Sequence, residues 1–151
     1  MPKPPPLDAE GNVVPHNHEE IETESVVIRR ISELQLCVDK DGRRRISSKA
    51  YQGSNDSDGG MSIDIPSFIE EDGKAVAEWV TTPRWIGSVR LSVATLRGRD
   101  LLVGYDPLPN KYSDNENPYH GAVWGTFSKA TKKALAADAQ WFVAIDGVEL
   151  V

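Results

Sequence analysis

The run from Ile86 to Thr95, IGSVRLSVAT, limits the possible folds of this chain more than any other stretch. Val89, Leu91 and Val93 alternate with Ser88, Arg90 and Ser92. A strand places residues two apart on one face, so the odd positions are expected to face a core. Arg97-Gly98-Arg99-Asp100 reads as a turn and Leu101-Leu102-Val103-Gly104-Tyr105 as the returning strand, which predicts a hairpin. Further strands are expected at Val26–Ile31, at Leu34–Val38, at Met61–Ile65 with its own period-two alternation, at Ala122–Thr126 and at Trp141–Ile145. Cys37, flanked by Leu36 and Val38, is expected to be a buried, inert thiol.

Helical spacing places Ala75, Val76, Trp79 and Val80 on one face, so a helix is expected over 74–81, ended by Pro83, with Trp79 in the core. A shorter helical turn precedes it at 67–72. A last helix enters at Ser128, with Phe127, Ala130, Ala134, Leu135 and Ala137 on one side and Lys129, Lys132 and Lys133 on the other. Strands that cluster rather than alternate strictly with helices predict an α+β fold, a mainly antiparallel sheet with two or three helices packed on it.

Charge divides the chain. Residues 1–24 hold Lys3 against six acids, a net −5 of the total −6, together with Pro2, Pro4, Pro5, Pro6 and Pro15. Such a segment has too little apolar surface to offset the entropy of ordering it, so 1–24 is expected to be a disordered acidic tail and 25–151 a single globular domain. His16 and His18 would then be an unstructured pair. The nearly neutral body has no broad basic surface, which argues against binding nucleic acid. The N-terminus lacks the charged-then-apolar pattern of a signal peptide, and no apolar run approaches the roughly 20 residues that span a bilayer. A lone cysteine forms no intrachain disulfide, and a cytoplasmic protein without membrane association is expected.

The candidate chemistry gathers in Asp106–Gly125, DPLPNKYSDNENPYHGAVWG, read as a loop of about a dozen residues leading into a strand. His120 is the only histidine beyond the tail, and an imidazole can exchange a proton near neutral pH, which makes it the candidate general acid or base. Asp106 is placed to orient it if the loop folds back, and Asn117 is a candidate ligand contact. Alternatively, Asp106, Asn117 and His120 only cap turns through side-chain-to-backbone bonds. Arg30 and the hydroxyls of Ser47 and Ser48 are candidates for an anionic group. The basic run Arg43-Arg44-Arg45 could hold a phosphate or clamp the acidic tail, or be a solvated turn. One of Arg29 and Arg30 must point inward and needs a carboxylate or ligand there. In the loop GSNDSDGG at 53–60, Asp56 and Asp58 suggest a calcium site, but Ile65 stands where an EF-hand needs glutamate, six residues past Gly59. No metal and no cofactor are expected.

RRI at 29–31, SSKAY at 47–51, Met61-Ser62-Ile63-Asp64, DPLP at 106–109 and NPYHG at 117–121 together resemble a family of uncharacterised small bacterial proteins with an RRI, SSxx(F/Y), DPxP, NPxH pattern. The likeness covers most of 28–138, with Tyr51 where that family favours Phe and Gly121 where it favours Ala. It implies positions rather than an activity. Arg30, Ser47 and Tyr51 are more faintly similar to ADP-ribosyltransferase-type folds, whose late catalytic glutamate has only Glu149 as a counterpart. The expected function is a ligand- or nucleotide-binding domain with a polar pocket around His120, taking a small anionic ligand. The alternative is a non-catalytic interaction protein, an inhibitor or immunity-type partner acting through its surface and acidic tail on another protein.

Overall fold

Aliphatic side chains recur every second residue in the strand segments 61–64 and 85–92, which bury Met61, Ile63, Val89 and Leu91 in one row. The computed structural model of the chain describes residues 2–53 and 60–150. In chain order the elements are β1 (Val26–Ser32), β2 (Leu36–Val38), β3 (Arg44–Ile46), β4 (Met61–Asp64), α1 (Pro66–Glu71), α2 (Val76–Val80), β5 (Trp85–Ser92) and α3 (Val93–Gly98). They continue with β6 (Leu102–Tyr105), β7 (Leu108–Asn110), β8 (Ser113–Asn117), β9 (His120–Trp124), α4 (Lys129–Asp138), β10 (Gln140–Val143) and β11 (Val148–Glu149). Sheet dominates and the pairings are mostly antiparallel, so the fold is α+β as expected.

Six strands form one antiparallel sheet in the order β10-β5-β1-β4-β9-β6. Paired residues share a face, and the pairs Val27↔Leu91, Met61↔Val123 and Val103↔Val123 make one face apolar. Val93 and Leu96 of α3 and Leu135 of α4 join that layer, each fully buried. The pairs Arg30↔Ser88, Asp64↔His120 and Ser62↔Ala122 make the other face polar. This polar face carries the candidate site. A smaller sheet, β11-β3-β2, and the hairpin β7-β8 lie beside it.

Several expectations are corrected. The alternation of Ile86–Thr95 ends at Ser92, whose hydroxyl accepts from Thr95 N–H and caps α3. The returning strand β6 therefore pairs with β9 rather than with β5. The dozen-residue loop contains the hairpin β7-β8. Cys37 is exposed, because β2 is an edge strand of the small sheet. The α4 helix packs through Thr131 and Leu135, while Ala130 and Ala137 face outward.

The N-terminal segment is packed, contrary to the expected disorder. Strand β6 closes one edge of the large sheet and would leave a row of backbone groups unpaired. The segment satisfies them: Asn17 Oδ1 accepts from Val103 N–H at 2.9 Å, His18 N–H donates to Val103 O at 3.0 Å, and Tyr105 N–H donates to His16 Nε2 at 3.1 Å. Arg97 reaches Asn17, Thr23 and the His18 carbonyl, and Ile21 is buried. Hydrogen bonding to an open edge holds a segment too poor in apolar groups to form a core of its own. Among the described residues no helix is long and apolar enough to cross a membrane. The calcium-like pair Asp56 and Asp58 lies outside the described residues.

Candidate functional site

Asp64 is the hub of the polar face. It ends β4, and register with His120 fixes both side chains on the same side of the sheet. Ile63, one residue earlier, turns to the apolar side, so the alternation that buries Ile63 presents Asp64 to the site. Arg30 grips Asp64 with two parallel bonds, Nε to Oδ2 at 2.8 Å and Nη2 to Oδ1 at 2.9 Å. Asn117, the last residue of β8, donates from Nδ2 to Asp64 Oδ1 at 2.8 Å. Its Oδ1 accepts from Trp79 Nε1 at 3.2 Å and from Tyr119 N–H at 3.1 Å. Arg30, Asp64, Asn117 and Trp79 thus form one braced chain across four elements.

His120 stands next to this chain at the start of β9, buried with Asp106, which follows β6. The two residues meet through main chain: Asp106 N–H donates to His120 O at 3.0 Å, and His120 Nδ1 lies 2.6 Å from Asp106 O. A carbonyl only accepts, so Nδ1 carries a proton, and in the neutral ring the lone pair is on Nε2. The Asp106 carboxylate is 4.0 Å from Nδ1 and is held by Asn110 Nδ2 at 3.0 Å. Asp106 therefore sets the tautomer of His120 through its carbonyl, with its carboxylate as a nearby charge. Among the described residues the side-chain hydrogen bond of His120 is the one at Nδ1.

These groups line a cavity of about 930 Å³. The sheet supplies Arg30, Asp64, His120 and Trp124, α2 supplies Trp79, and the hairpin β7-β8 supplies Asn110 and Asn117. Arg84 and Trp85 stand at its wall, with the guanidinium 4.8 Å from the indole centroid. The N-terminal segment contributes Asp8, Asn12, Val13, Val14 and Pro15 to its wall. Four acids (Asp8, Asp64, Asp106, Glu116) and four bases (Arg29, Arg30, Arg84, Lys111) line it, so the wall is close to neutral.

Of the residues singled out from the sequence, His120, Asp106, Arg30 and Asn117 come together, while Ser47 and Ser48 do not. Ser47 Oγ accepts from Lys49 N–H and caps the 3-10 turn Ser48–Ala50, and Ser48 is exposed on it. Tyr51 is buried outside the cavity wall, where burial pushes its phenol up to about 12. Arg29 donates to Ala50 O at 2.9 Å and Ser62 O at 2.8 Å, and burial pushes its guanidinium down to about 10. Both strand arginines therefore have internal partners. The basic run is paired as well: Arg43 with Glu149, Arg44 with Glu33, Arg45 with Asp39 and Glu149. The acids in these pairs belong to residues 33–149 rather than to the N-terminal segment. The tail docks on β6 instead.

Sequence reasoning missed Asp64, the tryptophans at 79, 85 and 124 as wall residues, and the N-terminal segment. The signal for Asp64 was present: an acid on the polar side of an alternating strand, in a chain with an arginine inside another strand. Among the described residues no group of three or more His, Cys, Asp or Glu side chains is placed to hold a metal ion. Comparison with protein-family models, with curated proteins and with solved structures finds no match.

Proposed function

We propose that the protein binds a small polar ligand in this cavity and that His120 Nε2 is its hydrogen-bonding or proton-accepting contact. One observation carries this reading: a histidine with one ring nitrogen fixed by a main-chain carbonyl stands beside a braced Arg30–Asp64–Asn117 chain on a cavity of ligand size. Arg30 acts as a brace, since Nε and Nη2 are committed to Asp64. Arg84, stacked on Trp85 and without an ion pair among the described residues, is the better contact for an anionic group. A planar ring with one anionic group, as in a nucleoside monophosphate, matches the tryptophan wall and the near-neutral lining. An exposed thiol at Cys37 persists in a reducing compartment, so a cytoplasmic location is part of the proposal.

The test is calorimetric titration of nucleosides, nucleoside monophosphates and inorganic phosphate into the wild type and into His120→Asn. Asparagine can keep the donor to Asp106 O while removing Nε2. The expected result is an unchanged melting temperature without ligand and at least about a tenfold loss of affinity, the usual scale for one hydrogen bond to a polar ligand group. Binding that survives His120→Asn at full strength would sink the reading. The second reading, a protein-interaction role, is favoured by Leu34 and Val38, 92% and 66% exposed beside and on edge strand β2. It predicts that Leu34→Glu weakens capture of a partner protein; capture undiminished by that change would refute it.

A further inference from the structure

We propose that residues 2–24 are a strap over the cavity whose closure is controlled by the protonation of His16. The strap does two jobs at once. Its first half supplies a wall of the cavity, with Asp8 held in a turn by Glu10 and Asn12 N–H at 2.9 Å each. Its second half occupies the free edge of β6 through His16, Asn17 and His18.

His16 is the pin between the halves, and both ring nitrogens are used. Nδ1 lies 2.8 Å from Val14 O and must donate, whereas Nε2 accepts from Tyr105 N–H at 3.1 Å. A proton added at Nε2 would point one N–H at another and break the bond to β6. The ring also packs against Trp124, 5.3 Å between centroids, and against Gly104, where a Cβ would lie 2.8 Å from the ring's Cε1 and 2.6 Å from both His16 O and the Trp124 ring. The His18 ring is pinned the same way, Nε2 to Lys3 O at 2.9 Å and Nδ1 accepting from Glu20 N–H at 3.2 Å.

The titratable groups facing His16 are His18 on the strap and Asp106 beyond β6, while β6 and β9 present Gly104 and the Trp124 ring. Burial lowers the pKa of His16; the bond to Val14 and the Asp106 carboxylate oppose this, and His18 adds to it. The sign follows. A free strap takes up its proton first as pH falls through the ordinary imidazole value of about 6.5, so docking is fully favoured above that pH and is progressively lost below it. Asp106 faces both His16 and His120, so the state of the strap and the charge near the site are linked.

The test is amide hydrogen exchange on the full chain without ligand, at about pH 7.5 and about pH 5, on either side of the ordinary imidazole pKa. After correction for intrinsic rates, the amides of His18, Val103 and Tyr105 should lose protection by up to about tenfold per pH unit, the limit for one proton. Those of Val27 and Leu91 in the sheet interior should keep theirs. In His16→Gln, which leaves His18 as the one imidazole on the strap, the fall should be markedly smaller. Gly104→Ala should show the low-protection state already at the higher pH, because its methyl displaces His16. Equal protection at both pH values in the wild type, or an undiminished fall in His16→Gln, would overturn the proposal. No ligand enters the measurement, so its outcome is separate from that of the ligand reading.

Discussion

At the residue scale the site depends on one buried carboxylate. Asp64 receives three hydrogen bonds, two of them from Arg30, and removing it leaves a guanidinium facing the cavity without its partner. Asp64→Ala is expected to cost about 3 kcal/mol in urea unfolding, the lower end for a broken buried pair because Arg30 retains some exposure. The double change Arg30→Met with Asp64→Leu should recover most of that loss; a double variant no more stable than Asp64→Ala would refute the pairing account. His120 and Asp106 were legible as neighbours from the prolines and the long polar segment. Their mode of contact was not, because a sequence does not distinguish a bond to a carboxylate from a bond to the carbonyl of the same residue.

The elements show where local pattern misleads. Ile86–Thr95 alternates through ten residues, yet the strand stops at Ser92 because a capping hydroxyl and the i, i+3 pair Val93 and Leu96 favour a helical turn. Once α3 replaces the turn, β6 lies beside β9, and their backbones meet closely at Gly104 and Gly121. A Cβ at Gly121 would lie 2.6 Å from Gly104 O, so Gly121→Ala is expected to destabilise by roughly 2 kcal/mol, within the range for a strained buried substitution. Chemical denaturation reads this directly, and a neutral result would mean that β6 and β9 can separate.

For the molecule as a whole, the helices and the strap tie down the two ends of the polar face. Tyr119 OH donates to Asp72 Oδ2 at 2.6 Å, fixing the entry to β9 against the end of α1. That bond to a carboxylate, then burial, pushes the Tyr119 phenol up to about 12. Tyr51 is raised to about 12 by burial. Both phenols are neutral in the fold and ionise near 10 when it is lost, so their contribution is complete below about 10 and disappears as pH rises toward 12. Absorbance at the tyrosinate band should therefore rise late for these two residues, together with alkaline unfolding. In Tyr119→Phe that unfolding should become less steep with pH, and an identical profile would show that Tyr119 does not contribute.

The sequence by itself determined the strands β1, β4, β5 and β6, the helices α2 and α4, the α+β class, the cap at Ser128, and the gathering of His120, Asp106 and Asn117 in one polar stretch. These depend on periodicity and capping within a few residues, where side-chain spacing acts directly on the backbone. Tertiary structure alone decided that Arg30 meets Asp64, 34 residues away, and that Asn17 meets Val103, 86 residues away. It also decided that an acidic, proline-rich segment is ordered. The reason is physical: an open strand edge offers unpaired donors and acceptors, and that demand belongs to β6 rather than to the residues that answer it.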